Sequence, residues 1–219
     1  MFNSAPNLGF IIHGGAAPAL NKEPTFKQRE LINAPQYEII AKAAAHYIQN
    51  GEVLIIASSV TTLQVAIRLA ADKKDLTVFT DSSIIASALS SNPTIKVHLA
   101  PGLYNGDENC VYGAETINYF NNIFANKVIL GATGLNQDGI SNADIDVAET
   151  YKVMAKQSTQ KIVVADCSKI SRNALSLFLP WTEVDRLIID NPPYDEELMV
   201  GLKHGAVQVT IASESSWNF

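Results

Sequence analysis

The sequence predicts an α/β protein built on an open, mostly parallel sheet with helices on both faces. Seven short apolar runs rich in β-branched residues predict the strands, and the stretches between them repeat apolar residues every three or four positions, as helices do. Strands that alternate with helices pair in parallel through right-handed crossovers. Because the runs are apolar at successive positions, we expect both faces of the sheet to be covered.

The predicted strands, in chain order, are residues 53–56, 76–80, 96–99, 127–131, 161–165, 186–189 and 207–211. The predicted helices are residues 34–49, 62–71, 82–90, 113–124, 147–157 and 195–204. The start of the chain differs, since residues 8–17 fit a strand that runs into a Gly-Gly turn and residues 21–29 are polar and loop-like. We therefore predict an N-terminal arm, residues 1–30, that packs on a single domain, residues 31–219.

The composition excludes several classes of protein. Of 219 residues, 47% are hydrophobic and 17% are charged, which is typical of a globular domain. The net charge is −6 and no stretch is rich in lysine or arginine, so this chain alone carries no electrostatic footprint for nucleic acid. Two cysteines and four scattered histidines form neither a disulfide framework nor a zinc motif. With no signal peptide and no long apolar run, we expect a cytoplasmic protein without metal or cofactor.

The segment from residue 53 to residue 70 holds the strongest functional signal. An apolar strand ends there in a cluster of hydroxyl residues that opens directly into an amphipathic helix: Ser58, Ser59, Thr61 and Thr62. Unpaired backbone N–H groups and the positive end of the helix dipole converge at such a junction. The segment therefore predicts a cradle for a phosphate or carboxylate, with the alternative that Ser58 or Ser59 only caps the helix.

Two further strand-end loops carry polar residues or glycine. Thr80 and Asp81 end the second strand and open a helix, so Asp81 either accepts hydrogen bonds from sugar hydroxyls or caps that helix. Gly102 follows the third strand, where it either lets a ligand approach the backbone closely or forms a plain surface turn. Ligands of open α/β sheets bind beyond the carboxyl ends of the strands, so Thr80, Asp81 and Gly102 belong to the predicted site.

The fourth and fifth strands end in the remaining loops. Thr133 and Gly134 lie in the most glycine-rich stretch of the chain, whose spacing does not fit a dinucleotide fingerprint. Lys169 closely follows the fifth strand, as a phosphate ligand would, with a surface ion pair to Asp166 as the alternative. Lys152 lies on a predicted helix with other charged residues. These charges either form a solvated face or, if the N-terminus of the helix points into the cleft, belong to the site. These four residues complete the predicted site: Thr133, Gly134, Lys152 and Lys169.

The order of these loops resembles a known family. The motifs that carry the resemblance are Gly14-Gly15-Ala16, Arg29-Glu-Leu-Ile-Asn33, the hydroxyl loop at 58–62, Thr80-Asp81, Gly113, Gly131-Ala-Thr-Gly-Leu135 with Gly139, and Asp166-Cys-Ser-Lys169. From about Gly14 to its C-terminus, the chain resembles the C-terminal effector-binding domain of the DeoR family of bacterial transcriptional regulators.

The resemblance implies a fold similar to that of ribose-5-phosphate isomerase and glucosamine-6-phosphate deaminase. It also implies that a phosphorylated sugar or related metabolite binds at the strand ends and changes the affinity of a repressor for operator DNA. Family members usually carry a helix-turn-helix domain of roughly sixty residues before the Gly-Gly-Ala segment. Thirteen residues precede that segment here, so DNA is expected as a partner only through a domain absent from this chain. We also expect a homo-oligomer, a dimer or tetramer, without membrane contact.

The hydroxyl loop departs from the family pattern, which typically reads Asp-x-Gly-Thr-Thr. Alignment on Thr61 and Thr62 places Ser58 at the acid and Val60 at the glycine. The branched side chain of Val60 resists the positive φ that a glycine allows. We therefore expect this loop to bind a phosphate differently from the typical family loop. The loss of the acid and the glycine also favours an alternative, an oligomerisation module with a vestigial pocket.

No residue pattern supports catalysis. Cys110 and Cys167 have no histidine in their local context, so neither is expected to act as a nucleophile. A sugar-phosphate isomerase or deaminase, the enzymatic alternative on this fold, needs an acid or base beside the reacting carbon. The candidate carboxylates are those of Asp81, Asp144 and Asp166. They form no convincing acid/base pair, so we predict no catalytic residue.

Overall fold

A computed structural model describes residues 25–213 of the chain. The helices in this range are α1 (Phe26–Ile32), α2 (Ala34–His46), α3 (Val60–Asp72), α4 (Ser83–Leu89), α5 (Ala114–Phe120), α6 (Ile145–Lys156) and α7 (Glu196–His204). The strands are β1 (Val53–Ile56), β2 (Thr77–Thr80), β3 (Lys96–Leu99), β4 (Leu103–Asn105), β5 (Cys110–Tyr112), β6 (Ala125–Leu130), β7 (Gly134–Leu135), β8 (Gly139–Asn142), β9 (Ser158–Ala165), β10 (Ser176–Pro180), β11 (Arg186–Ile189) and β12 (Gln208–Ile211).

The main sheet has seven strands in the order β12-β11-β9-β6-β1-β2-β3, and every neighbouring pair is parallel. These are the strands that the apolar runs predict, so the predicted fold class is confirmed. The chain moves from β1 toward β3 on one side and from β6 toward β12 on the other. The strand order therefore reverses between β1 and β6, in the middle of the sheet.

Successive strand residues point into two separate cores, which explains why the strands are apolar throughout. On β1, Ile55 belongs to one core, whereas Leu54 and Ile56 belong to the other. Side chains of α1 to α4 fill the second core, and side chains of α5 to α7 fill the first. Helices thus cover both faces of the sheet, and only its strand-end edges remain open to polar loops.

Two parts of the structure differ from the sequence prediction. Residues 21–29 are predicted as a loop, but Phe26–Ile32 is a helix, held by a fully buried Phe26 and by a bond from the Thr25 N–H to the Gln28 side chain at 2.9 Å. Two small antiparallel sheets, β4-β5 and β10-β8-β7, also lie beyond the prediction. Residues 1–24, and with them the predicted strand at 8–17 and most of the predicted arm, lie outside the described residues. Within the described range, no helix is long and apolar enough to cross a membrane.

Candidate functional site

The loops that follow β1 and β6 meet where the strand order reverses. In open α/β sheets ligands bind at this point, beyond the carboxyl ends of the strands. Gly131 directly follows β6, and a Cβ built on it would lie 2.5 Å from Oγ of Ser59 in the loop after β1. Only a glycine lets the two loops approach this closely, so Gly131 fixes the position of the hydroxyl loop.

The hydroxyl loop begins α3 with a capped N-terminus. Oγ of Ser59 accepts a hydrogen bond from the Thr62 N–H at 3.0 Å, and the Thr62 hydroxyl donates to the Ala57 carbonyl at 2.6 Å. The capping alternative therefore describes Ser59, and Thr62 braces the same turn. The backbone N–H groups of Val60 and Thr61 and the Thr61 hydroxyl make no hydrogen bond within residues 25–213. Those three donors form the open part of the predicted cradle.

Loss of the cap gives a first testable effect. We expect Ser59→Ala to lower the free energy of unfolding by about 1 kcal/mol, because the Thr62 N–H loses its acceptor at the start of α3. Urea unfolding monitored by circular dichroism measures this change. Ser90→Ala is the control, since the exposed Ser90 hydroxyl only bonds back to the Ala86 carbonyl in the last turn of α4. Equal losses in both variants would contradict a capping role.

Val60 is the first residue of α3 and has helical backbone geometry. Val60 does not adopt the positive φ that a glycine would allow, since the non-glycine residues with positive φ in the described range lie elsewhere: Asp75, Asn109, Ser171 and Ala206. The Val60 side chain is buried in the core beneath α3. The valine therefore anchors the loop without backbone strain.

A buried cluster of polar side chains supports the loop from below. Asp81, which is 1% exposed, accepts a bond from the Ser58 N–H at 2.8 Å and another from the Ser58 hydroxyl at 2.9 Å. The Tyr151 hydroxyl donates to the Ser58 carbonyl, and its oxygen lies 3.0 Å from Oγ of Ser58. Both carboxylate oxygens of Asp81 are thus occupied by Ser58. Asp81 holds the loop in place, and its contact with a ligand stays a prediction.

Burial dominates the electrostatics of this cluster. It raises the pKa of Asp81 to about 7, although the hydrogen bonds from Ser58 favour the charged form. Burial, with the nearby Asp81 charge, raises the pKa of Cys110 to about 12 and that of Tyr151 well above its usual value. Cys110 is therefore a neutral thiol at physiological pH and not a nucleophile. The cluster carries one titratable charge near neutrality, on Asp81.

The residues of the second and third loops have local structural roles. The buried Thr80 hydroxyl accepts a bond from the Ser82 N–H at 3.1 Å. Gly102 has φ +151°, and a Cβ built there would lie 2.1 Å from Oγ1 of Thr116. Both residues shape the sheet edge, and direct ligand contact by Thr80 or Gly102 stays a prediction.

The next three predicted residues lie in different elements: Thr133 in the loop after β6, Gly134 in β7 and Lys152 in α6. Thr133 is half-buried and its N–H donates to the Ser141 carbonyl at 3.0 Å, whereas Gly134 lies in β7, where a Cβ would meet the Arg172 carbonyl at 2.2 Å. Lys152 pairs with Glu149 at 2.5 Å on an exposed face of α6, as the solvated alternative predicts. No contact recorded for residues 25–213 brings Lys152 to the strand-end loops.

Helix α1 runs along the strand-end edge and is attached to it at two points. Arg29 forms a bidentate ion pair with Glu108 on the turn between β4 and β5. Asn33, at the junction of α1 and α2, donates to Oδ1 of Asp166 at 3.1 Å, just after β9. Lys169 lies half-buried in the single helical turn that Asp166 caps. Side chains at the end of α1 thus contact both the turn between β4 and β5 and the loop after β9.

Residues 32–191 match the family profile described as the DeoR C terminal sensor domain. The chain belongs to this family. The resemblance carried by the loop motifs is thereby confirmed, and the domain is the sensor part of a DeoR-type transcriptional regulator.

Curated relatives of this DeoR sensor domain are named as regulators. The glycerol-3-phosphate regulon repressor of Escherichia coli K12 is 28% identical over 189 residues, which cover 85% of this chain and 75% of the relative. The HTH-type transcriptional regulator GolR of Listeria innocua is 28% identical over 183 residues, which cover 82% of this chain and 72% of the relative.

Among solved structures, ribose 5-phosphate isomerase A from Neisseria gonorrhoeae is similar, with a TM-score of 0.47 and 18% identity over 68% of this chain and 57% of that one. The DeoR domain spans about half of the length of such structures. A likeness this weak carries no argument about activity.

Each carboxylate of the enzymatic alternative accepts structural hydrogen bonds within the DeoR domain. Asp81 holds Ser58, Asp144 accepts bonds from the N–H groups at the start of α6, and Asp166 caps the turn after β9. Within residues 25–213, no group of three or more His, Cys, Asp or Glu side chains is placed to hold a metal ion.

Sequence reasoning missed two residues of this region. Tyr151 lies on the buried face of α6, and a buried tyrosine needs a partner for its hydroxyl, which was the available signal. Asn33 ends a motif that carries the family resemblance, but no local pattern predicts its contact with Asp166, because that contact joins residues far apart in the chain.

Proposed function

We propose that this DeoR sensor domain binds a phosphorylated sugar or a related phosphate ester as its effector. The observation that carries the proposal is the start of α3, where the N–H groups of Val60 and Thr61 and the Thr61 hydroxyl have no partner within residues 25–213. The N-terminus of a helix attracts anions through such donors and through its dipole. This one lies where the strand order reverses.

In this proposal the phosphate sits on the start of α3, and neighbouring loops complete the site. Ser58, Ser59 and Thr62 shape the cradle through the bonds they make within it. Lys169, two strands away on the same edge, contributes positive charge. The residues that surround the rest of the effector are Thr80, Asp81, Gly102, Thr133 and Gly134. Lys152 is the weakest member of the predicted set, since it is paired with Glu149.

The names of two relatives support a regulatory output. One of them is named for a glycerol-3-phosphate regulon, which supports a phosphate ester as the class of ligand, and another is named as HTH-type. We infer that effector binding favours one of two conformations and so changes operator affinity through a helix-turn-helix part of the regulator. We also propose that the domain acts as a homo-oligomer, which the molecular mass in solution would test.

Removal of the Thr61 hydroxyl tests the cradle. We expect Thr61→Val to weaken binding of sugar phosphates about tenfold, because the phosphate loses one charge-assisted hydrogen bond while the branched shape of the side chain is kept. Isothermal titration calorimetry with glycerol 3-phosphate, ribose 5-phosphate, glucose 6-phosphate and glucosamine 6-phosphate measures the affinity. Thr159→Val is the matched control, since Thr159 is exposed at the opposite, amino-terminal end of β9.

Two outcomes would overturn the proposal. The first is no binding of any of the four esters by a folded protein with a cooperative thermal transition. The second is turnover of ribose 5-phosphate or glucosamine 6-phosphate, which would favour the isomerase or deaminase alternative over a sensor.

A further inference from the structure

The last helix of the described chain, α7, exposes two apolar side chains that the core does not use. Leu198, Gly201 and Leu202 are buried on one face of this helix. Met199 and Val200, which are 48% and 59% exposed, lie on its outer face. A helix that only covers a sheet keeps polar residues on its outer face. The packing of a single copy therefore does not account for this apolar pair.

Charged residues of opposite sign flank the apolar pair. Glu196 lies in the first turn of α7 and Lys203 in its last turn, and both are exposed. Within residues 25–213, neither side chain forms an ion pair or a hydrogen bond. Residues that are three, four and seven positions apart lie on one side of a helix. Four residues thus form one surface, here called the α7 stripe: Glu196, Met199, Val200 and Lys203.

The α7 stripe is complementary to itself. When a second copy of α7 packs antiparallel on the first, with a twofold axis between Met199 and Val200, Glu196 of each copy faces Lys203 of the other. Met199 then faces Val200 across the axis. A twofold interface makes each contact twice, so the pair of helices gains two ion pairs around an apolar centre. A parallel pairing would bring like charges together, so the charges select the antiparallel one.

We propose that the α7 stripe is a homodimer interface, with a second copy of this chain as its partner. The inference rests on the homo-oligomer proposed above and assigns a surface to it. Helix α7 has nine residues and is about 13 Å long. Its outer face buries less than the roughly 1,600 Å² of a standard interface, so we expect a reversible dimer with a Kd in the micromolar range. The stripe lies beyond residues 32–191, the part that matches the family profile.

The helix dipole gives a second explanation for the two charges. An acid in the first turn and a base in the last turn stabilise a helix without any partner. Exchange of Glu196 and Lys203 reverses this contribution to stability, but it restores the complementarity between two copies. The same exchange therefore separates an interface from a dipole effect, because it should lower the stability of the helix and keep the affinity of the dimer.

Sedimentation velocity over a range of micromolar concentrations measures the dimer Kd of the unaltered protein and its variants. Glu196→Lys and Lys203→Glu each bring like charges together at two symmetric contacts, so we expect each to weaken the dimer about ten- to one-hundredfold. The double variant Glu196→Lys/Lys203→Glu should recover most of the unaltered affinity. A mixture of the two single variants should form heterodimers, since every facing pair of charges is then opposite in sign.

Glu115→Lys is the matched control. Glu115 is the exposed acid in the first turn of α5, so the substitution makes the same change of charge at the same helix position, away from α7. It should leave the dimer Kd unchanged. If the protein associates but the single variants do not weaken it, or the double variant stays as weak as they are, the α7 interface is overturned and the homo-oligomer stands. If the unaltered protein is a monomer, both fail, and the calorimetric titrations still test effector binding separately.

Discussion

Replacement of Asp81 with asparagine should raise the free energy of unfolding by about 4 kcal/mol at pH 8 and change it little at pH 4. Burial raises the pKa of Asp81 from 3.8 to about 7 in the folded protein, so the folded state binds a proton more tightly than the unfolded chain does. Between these two values the unfolded state loses its proton first. The stability of the unaltered protein therefore falls as the pH rises from about 4 to about 7, and an amide removes that loss.

The amide also fits the hydrogen bonds of the cluster. In the Asp81→Asn variant, the amide oxygen would accept from the Ser58 N–H and the amide NH₂ would donate to the Ser58 hydroxyl, which then donates to the Tyr151 oxygen. Urea unfolding between pH 4 and pH 8 measures the effect. Asp107→Asn, on the exposed turn between β4 and β5, is the control for an aspartate without burial. If the stability of Asp81→Asn falls with pH in parallel with that of the unaltered protein, Asp81 does not carry the buried charge.

The parallel sheet was predictable because its signal is local. Each strand is an apolar run that ends in polar or glycine residues, and its burial on both faces leaves a continuous hydrophobic pattern. Helix α1 was not predictable in this way, since only Phe26 of its residues is buried and its other side chains carry no apolar periodicity. The strands of the two small antiparallel sheets have two to five residues each, too few for a periodic pattern.

The sequence predicts that the site lies at the carboxyl-end edge of the sheet, but it does not predict which residue there has which role. Hydroxyl residues after β1 predict both a cap and a cradle, and the structure assigns the cap to Ser59 and leaves Thr61 open. The difference depends on where each hydroxyl points, which residue type does not determine. The support from Tyr151 comes from 93 residues further along the chain, so no local pattern contains it. Long-range contacts of this kind require the fold itself.

The Ser58–Asp81 pair explains how the loop tolerates its departure from the family pattern. An acid is typical of position 58 in DeoR-type loops, and here the acid stands opposite, at Asp81, with both oxygens on Ser58. The buried carboxylate that Ser58 contacts therefore lies at the end of β2, beside the end of β1. Two carboxylates at these positions would face each other in a buried space, where like charges in contact cannot both ionise cheaply.

Ser58→Asp should consequently lower the free energy of unfolding by about 4 kcal/mol at pH 8, because it adds a second, uncompensated charge beside Asp81. Ser58→Asn is the matched control for side-chain size, so the charge effect is the difference between the two variants. That difference in unfolding free energy should shrink at pH 4, where protonation of a carboxylate relieves the repulsion between positions 58 and 81. It should shrink by the same amount when Asp81→Asn removes the second carboxylate. Urea unfolding of the unaltered protein, Ser58→Asp, Asp81→Asn and the double variant forms a double-mutant cycle. We expect a coupling free energy of about 2 to 3 kcal/mol between positions 58 and 81. If the effects of the two substitutions are additive, side-chain size, and not repulsion between paired carboxylates, sets the cost of an acid at position 58.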